Sequence, residues 1–109
     1  MQGTALIPIS APTIEQVPAA NWNAWIEENN GVLLDVREPA EWAGGVLPES
    51  IQISLAFLPA SLGQLDPDQP VLVVCRAGNR SLVAAQFLQR NGFTKAANLY
   101  GGLTSIGLA

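Results

Sequence analysis

A chain of 109 residues, 49% apolar and only 13% charged, has the hydrophobic matter for one compact domain and excludes intrinsic disorder, which needs the opposite balance. Its net charge of −4, with five Lys and Arg against nine Asp and Glu, argues against a nucleic-acid or anionic-lipid partner. One cysteine cannot form an internal disulfide, and the absence of histidine removes His–Zn sites and every imidazole base.

The first twelve residues, with Pro8 and Pro12, read as an extended N-terminal segment, and residues 13–109 as one domain. Met1 to Thr13 has no basic region and only a short apolar run before Pro8, so it does not read as a signal peptide. No apolar run is long enough to span a membrane, and a cytoplasmic location is the expectation.

Thr13 to Gln16 suits a short edge strand. A helix is expected from Pro18 to Glu28, with Trp22, Trp25 and Ile26 on one face and Glu27-Glu28 as a solvated end. Asn29-Asn30-Gly31 stops it, Gly31 being the residue expected in the left-handed conformation. Val32, Leu33 and Leu34 make a buried strand running into Asp35-Val36-Arg37. Glu38 to Trp42 is a short helix with proline and acids early, stopped by Gly44-Gly45. Ile51 and Ile53 suggest a short strand, Leu55 to Leu65 a helical or irregular link, and residues 66–70 a turn. Val71 to Val74 is the clearest buried strand. A helix over Arg80 to Asn91 follows, with Val83, Ala84, Phe87 and Leu88 as its packing face; Gly92 suits its stop, and Phe93 folds back on it. Ala96 to Leu99 is a last strand before Gly101-Gly102. Strands alternating with helices make this an α/β fold with a mostly parallel sheet.

The chemistry concentrates where Val71-Leu72-Val73-Val74 ends on Cys75 and passes through Arg76-Ala77-Gly78-Asn79 to Arg80 and Ser81. Strand C-termini feeding helix N-termini are where open α/β sheets bind ligands, and unpartnered helix N–H groups there favour an anion. A free thiol of pKa ~8.5 is only about 3% thiolate at neutral pH, and thiolate is the reactive form. Lowering that pKa by ~2 units takes about 2.7 kcal/mol of differential stabilisation, which loop N–H groups and two arginines can supply. Arg76 and Arg80 either flank an anion or pair with Asp35, Glu38 or Glu41. Cys75 alone is equally readable as a buried core thiol; the glycine-containing loop and its arginines favour reactivity.

At this point Cys75-Arg76-Ala77-Gly78-Asn79-Arg80-Ser81 closely resembles the active-site loop of single-domain rhodanese-like proteins. Leu34-Asp35-Val36-Arg37-Glu38-Pro39-Ala40-Glu41-Trp42 resembles that family's other signature, and Asn98-Leu99-Tyr100-Gly101-Gly102 a third, in matching order and spacing over residues 13–103. The resemblance implies a five-stranded, mainly parallel sheet flanked by helices. It also implies a thiosulfate sulfurtransferase working by a ping-pong reaction, with a persulfide on Cys75 as the intermediate. The donor would be thiosulfate or a persulfide, and the acceptor cyanide, a thiol or a protein partner; no cofactor, metal, nucleic acid or membrane is implied. Cys75 is then the nucleophile, Arg76, Ala77, Gly78, Asn79 and Arg80 the substrate cradle, and Ser81, Asp35 and Arg37 its supports. Four residues separate Cys75 from Arg80, whereas phosphatases of the same fold have a loop one residue longer, making phosphatase or arsenate reductase the lesser reading. The alternatives within the family are a docking or regulatory module and a protein-to-protein sulfur carrier; the intact cysteine loop favours the enzyme.

The chain departs from the family pattern twice. Gly45-Val46-Leu47-Pro48-Glu49-Ser50 replaces a common Gly-His-Ile-Pro-Gly-Ala, and Leu103 to Ile106 lacks the usual tryptophan. Trp22, Trp25 and Trp42 read as packing residues, and Tyr100 as packing or pocket rim rather than a catalytic acid. No second cysteine stands by to resolve a persulfide on Cys75, so the acceptor is expected from outside.

Overall fold

The computed structural model describes residues 13–109, so the expected extended segment at 1–12 lies outside the described residues. Five strands, β1 (Glu15–Pro18), β2 (Val32–Asp35), β3 (Ile51–Gln52), β4 (Val71–Val74) and β5 (Ala96–Tyr100), form one sheet in the order β1-β5-β4-β2-β3. Every pairing is parallel. The α-helices are α1 (Trp22–Asn29), α2 (Pro39–Trp42) and α3 (Asn79–Arg90), and 3-10 turns occupy Ala19–Asn21, Leu55–Phe57, Pro59–Gln64 and Leu103–Ile106. No helix among the described residues is long and apolar enough to cross a membrane.

The central strand explains itself. All four residues of β4 are buried, as expected of a parallel strand covered on both faces. Val71, Val73 and Cys75 point with Leu34, Val36, Ile53 and Ala96 toward α3, where Ala84, Ala85 and Leu88 meet them. Leu72 and Val74 point the other way, joining Leu33, Ala97, Leu99, Trp25 and Leu103 in a second core. The chain leaves β2 for β3 on one side and leaves β4, through α3, for β5 on the other. The gap beyond the C-terminal ends of β2 and β4 is therefore the topological switch point of the sheet, the usual ligand crevice of such folds. Asp35 ends β2 there, and Cys75 follows β4.

Several boundaries and faces differ from expectation for clear reasons. The first helix opens as a 3-10 turn before α1, and the left-handed residue that ends α1 is Asn30 (φ 51°), not Gly31. Gly31 serves packing instead: a Cβ there would lie 2.8 Å from the Trp25 ring and 3.1 Å from the Pro70 carbonyl oxygen. Val83 is 54% exposed, because the inward face of α3 runs through Ser81, Ala84, Ala85 and Leu88. The edge strand lies at Glu15–Pro18, slightly later than expected, and pairs with β5 alone. Gly92 has the expected positive φ of 91°, and the Phe93 N–H donates back to the Leu88 carbonyl. Of the tryptophans, Trp25 is buried and Trp22 and Trp42 half-buried.

Candidate active site

The loop from Cys75 to Ser81 turns a buried strand into α3 around one sulfur atom. Gly78, at φ 102°, is the residue that lets the backbone reverse just before the helix. The reversal aims backbone N–H groups inward: those of Gly78 and Ser81 donate to the Cys75 Sγ at 3.2 and 3.3 Å. The Ser81 Oγ lies 3.2 Å from the same sulfur. Burial pushes the Cys75 thiol up, but the loop's hydrogen bonds to the sulfur, those of Ser81, Gly78 and Ala77, outweigh it, leaving the pKa below its ordinary value. Cys75 is only 1% exposed.

The outer side of the loop is held by the Gly101-Gly102 turn. Leu103 N–H donates to the Cys75 carbonyl at 2.9 Å, and the Thr104 N–H and hydroxyl both donate to the Arg76 carbonyl at 3.0 and 2.9 Å. Backbones approach so closely that a Cβ on Gly102 would lie 2.2 Å from the Arg76 carbonyl oxygen. Glycine is required there sterically.

The two loop arginines have different lives. Arg80 makes a bidentate pair with Glu41 of α2, at 2.7 and 2.9 Å. That hydrogen-bonded pairing holds the Glu41 carboxyl down at about 2 and keeps Arg80 charged. Glu41 also closes a capping box: its Oε1 accepts the Glu38 N–H at 2.9 Å, which fixes α2 beside the loop. Arg76 is exposed and makes no ion pair among the described residues. The carboxylate-pairing alternative therefore holds for Arg80, and Arg76 is left facing solvent.

Asp35 and Arg37 form a buried pair, with Arg37 Nη2 2.7 Å from Asp35 Oδ2 and both residues at most 1% exposed. Arg37 also donates to the Gly45 carbonyl at 2.8 Å and to the Glu41 carbonyl at 3.5 Å. Neither side chain touches the Cys75 sulfur. They tie β2 to α2, and α2 carries the carboxylate that grips Arg80.

Two recesses flank the loop. A cleft of about 470 Å³ is lined by Gln16, Gly78, Asn79, Leu82, Asn98 and Tyr100, among others. A smaller one of about 220 Å³ is lined by Arg37, Glu41, Gly44, Arg76, Leu108 and Ala109. Cys75 lines neither, so the larger cleft is not the sulfur's own pocket despite its size. Among the described residues no His, Cys, Asp and Glu side chains group in a way that could hold a metal ion.

This strand-end cysteine inside a loop of inward N–H groups is matched over residues 19–109 by the model of the rhodanese-like domain. The chain belongs to the rhodanese-like family. It is 35% identical over 72 residues to a protein of Allochromatium vinosum named "Sulfurtransferase", covering 66% of this chain and 67% of that one. It is 33% identical over 91 residues to YtwF of Bacillus subtilis, which carries a provisional sulfurtransferase name, covering 83% and 87%. Among solved structures, reduced Bacillus anthracis CoADR-RHD superposes with a TM-score of 0.79 at 35% identity over 87% of this chain. This rhodanese-like chain spans only 17% of that longer protein.

Within the rhodanese-like fold, the structure brings Cys75, Gly78 and Ser81 together and sets Arg80 beside them through Glu41. Tyr100 is 64% exposed at the rim of the larger cleft, so the rim role stands and the packing role does not. The sequence reading offers Glu41 as one carboxylate partner among several, and places Asn98 and Gly102 in a family signature and Gln16 at the end of an edge strand without giving any of the three a role at the cysteine loop. Asn98 was detectable as the one polar side chain inside the buried run of β5, and Gly102 as half of a glycine pair.

Proposed function

We propose that this chain is a sulfurtransferase that carries sulfane sulfur as a persulfide on Cys75. The observation that carries the proposal is the loop geometry: two backbone N–H groups converge on a sulfur that has no imidazole to activate it. Such groups stabilise an anionic sulfur without rearranging, which is how preorganised donors lower a barrier.

The Cys75 thiolate attacks the outer sulfur of thiosulfate or of a persulfide donor. The donor's S–S bond breaks, sulfite or the donor thiolate leaves with the electron pair, and Cys75–S–S⁻ remains. An acceptor such as cyanide or a thiol then attacks the terminal sulfur, and the Cys75 thiolate departs. Arg76, which makes no ion pair among the described residues, is the residue suited to meet the anionic end of the donor, whereas Arg80 shapes the loop through Glu41. Asp35 and Arg37 support α2 from beneath. Because Cys75 is 1% exposed, the reacting end of a donor must be narrow. No second thiol stands in this chain to resolve the persulfide, so the acceptor arrives from outside it.

Steady-state formation of thiocyanate from thiosulfate and cyanide tests the reading. It should vanish in Cys75→Ser. Arg76→Ala should weaken use of thiosulfate more than use of a neutral donor; equal losses would remove Arg76 from the cradle.

A further inference from the structure

The hydroxyl of Ser81 sits between two partners that compete for its single hydrogen. Its Oγ is 2.5 Å from the Oδ1 of Asn98, an atom that only accepts, and 3.2 Å from the Cys75 Sγ. The Asn98 amide is itself oriented by its Nδ2, which donates to the Oε1 of Gln16 at 2.8 Å. The hydrogen therefore goes to Asn98, and the hydroxyl offers sulfur only a lone pair. That arrangement suits a thiol, whose S–H can donate to Ser81. It opposes a thiolate, which needs the hydroxyl to donate to it.

We propose that Asn98 and Gln16 are positioning residues forming a reversible amide relay, in which both amides turn over so that Ser81 donates to the Cys75 sulfur when that sulfur is anionic. Turning an amide exchanges its oxygen and nitrogen within the same outline, so buried Asn98, 3% exposed, needs no extra room. Its Nδ2 then donates to Ser81, and its Oδ1 accepts from the Nε2 of Gln16. Gln16 is free to follow, being exposed at the large cleft with water available to its outward atom. The parallel register that pairs Gln16 with Asn98 across β1 and β5 puts the two side chains on the face that carries Cys75. Each hydrogen bond in such a chain polarises the next, so its direction matters to the terminal sulfur.

Among the described residues, the charged groups near the Cys75 loop are Arg80 with its partner Glu41 and with Glu38 at the start of α2, Arg76 in the loop, and the Asp35–Arg37 pair at the end of β2. β5 and the 3-10 turns at Leu55–Phe57, Pro59–Gln64 and Leu103–Ile106 bring no charged side chain, only the exposed Tyr100 hydroxyl. The relay can thus be altered at Gln16 without touching any of them.

The proposal rests on Cys75 as the reactive sulfur, but its test reads thiol ionisation and not sulfur transfer. The rate of Cys75 alkylation by iodoacetamide is followed against pH in the full chain. Gln16→Glu presents only acceptors, holds Asn98 in its present orientation and should slow alkylation near neutral pH by roughly threefold to tenfold, with the midpoint moved up accordingly. Gln16→Asp carries the same charge but is too short to reach Asn98, and should change the rate less than about twofold. In a Ser81→Ala background the Gln16→Glu effect should disappear. Equal effects of Glu and Asp, no effect of Glu, or an effect that survives Ser81→Ala would each overturn the relay. A protein that passes here but takes up no sulfur would refute the function and leave the relay standing.

Discussion

Replacing Gly102 by alanine should damage the site more than any other single methyl addition in this fold. The new Cβ would lie 2.2 Å from the Arg76 carbonyl oxygen, 2.5 Å from its carbon and 2.6 Å from the Ala77 Cα, all backbone atoms of the cysteine loop. A flexible side chain could swing aside; a loop anchored at both ends cannot. At φ 67° and ψ −178°, Gly102 also occupies a backbone region that is nearly glycine-only, where another residue costs about 1–3 kcal/mol. Relief by movement would break the hydrogen bonds from Leu103 and Thr104 to the Cys75 and Arg76 carbonyls, each worth about 1 kcal/mol. The sum is roughly 4–6 kcal/mol, or a fall in melting temperature of more than about 16 °C for a domain of this size. Thermal denaturation followed by circular dichroism measures it, with Gly63→Ala, where a Cβ meets nothing within 4 Å, as the matched control. A Gly102→Ala protein that melts with the control would refute the close-approach reasoning.

Three further outcomes follow from the surroundings of the loop. Asp35→Ala leaves Arg37 charged and buried, and should cost about 3–5 kcal/mol in urea unfolding, whereas Asp35→Leu with Arg37→Met should recover much of the loss. Glu41→Gln breaks the bidentate grip on Arg80. Because both side chains keep part of their surface in water, the loss at neutral pH should be about 1 kcal/mol, well below what the pKa displacement alone suggests. The folded Glu41 pKa is depressed, so its contribution is whole above the ordinary value of 4.5 and fades toward about 2; the gap between wild type and variant should more than halve by about pH 3. Glu49→Gly should stabilise the protein by about 0.5–1 kcal/mol, since Glu49 holds φ 61°, a left-handed conformation that favours glycine. A destabilised Glu49→Gly in the same urea assay would mean that the Glu49 side chain makes up for that strain.

The parts of this fold readable from sequence are those whose cause is local. Four apolar residues ending on Cys75, then a loop with Gly78 at the turn, identify the strand, the loop and the helix start because each depends on its immediate neighbours. The face of α3 was less legible: Val83 looks as apolar as Ala85, and only the angle at which α3 lies on β4 and β5 makes Ala85 the buried one. The partners that complete the site are distant in the chain. Glu41 and Arg80 are 39 residues apart, and Gln16 and Asn98 are 82 apart. No periodicity reports such pairs, because sheet order decides them. Glu49 shows a different gap: the missing family glycine marks a departure in the sequence, and only the backbone shows that Glu49 itself takes a left-handed conformation.

The most direct measurement is the intact mass of the reduced protein before and after thiosulfate, followed by peptide mapping and then cyanide. A persulfide on Cys75 predicts a gain of one sulfur atom, located on the peptide containing Cys75, discharged by cyanide and absent in Cys75→Ser. An unchanged mass with thiosulfate and with a persulfide donor, in protein whose Cys75 still alkylates readily, would contradict the assignment of this loop to sulfur transfer.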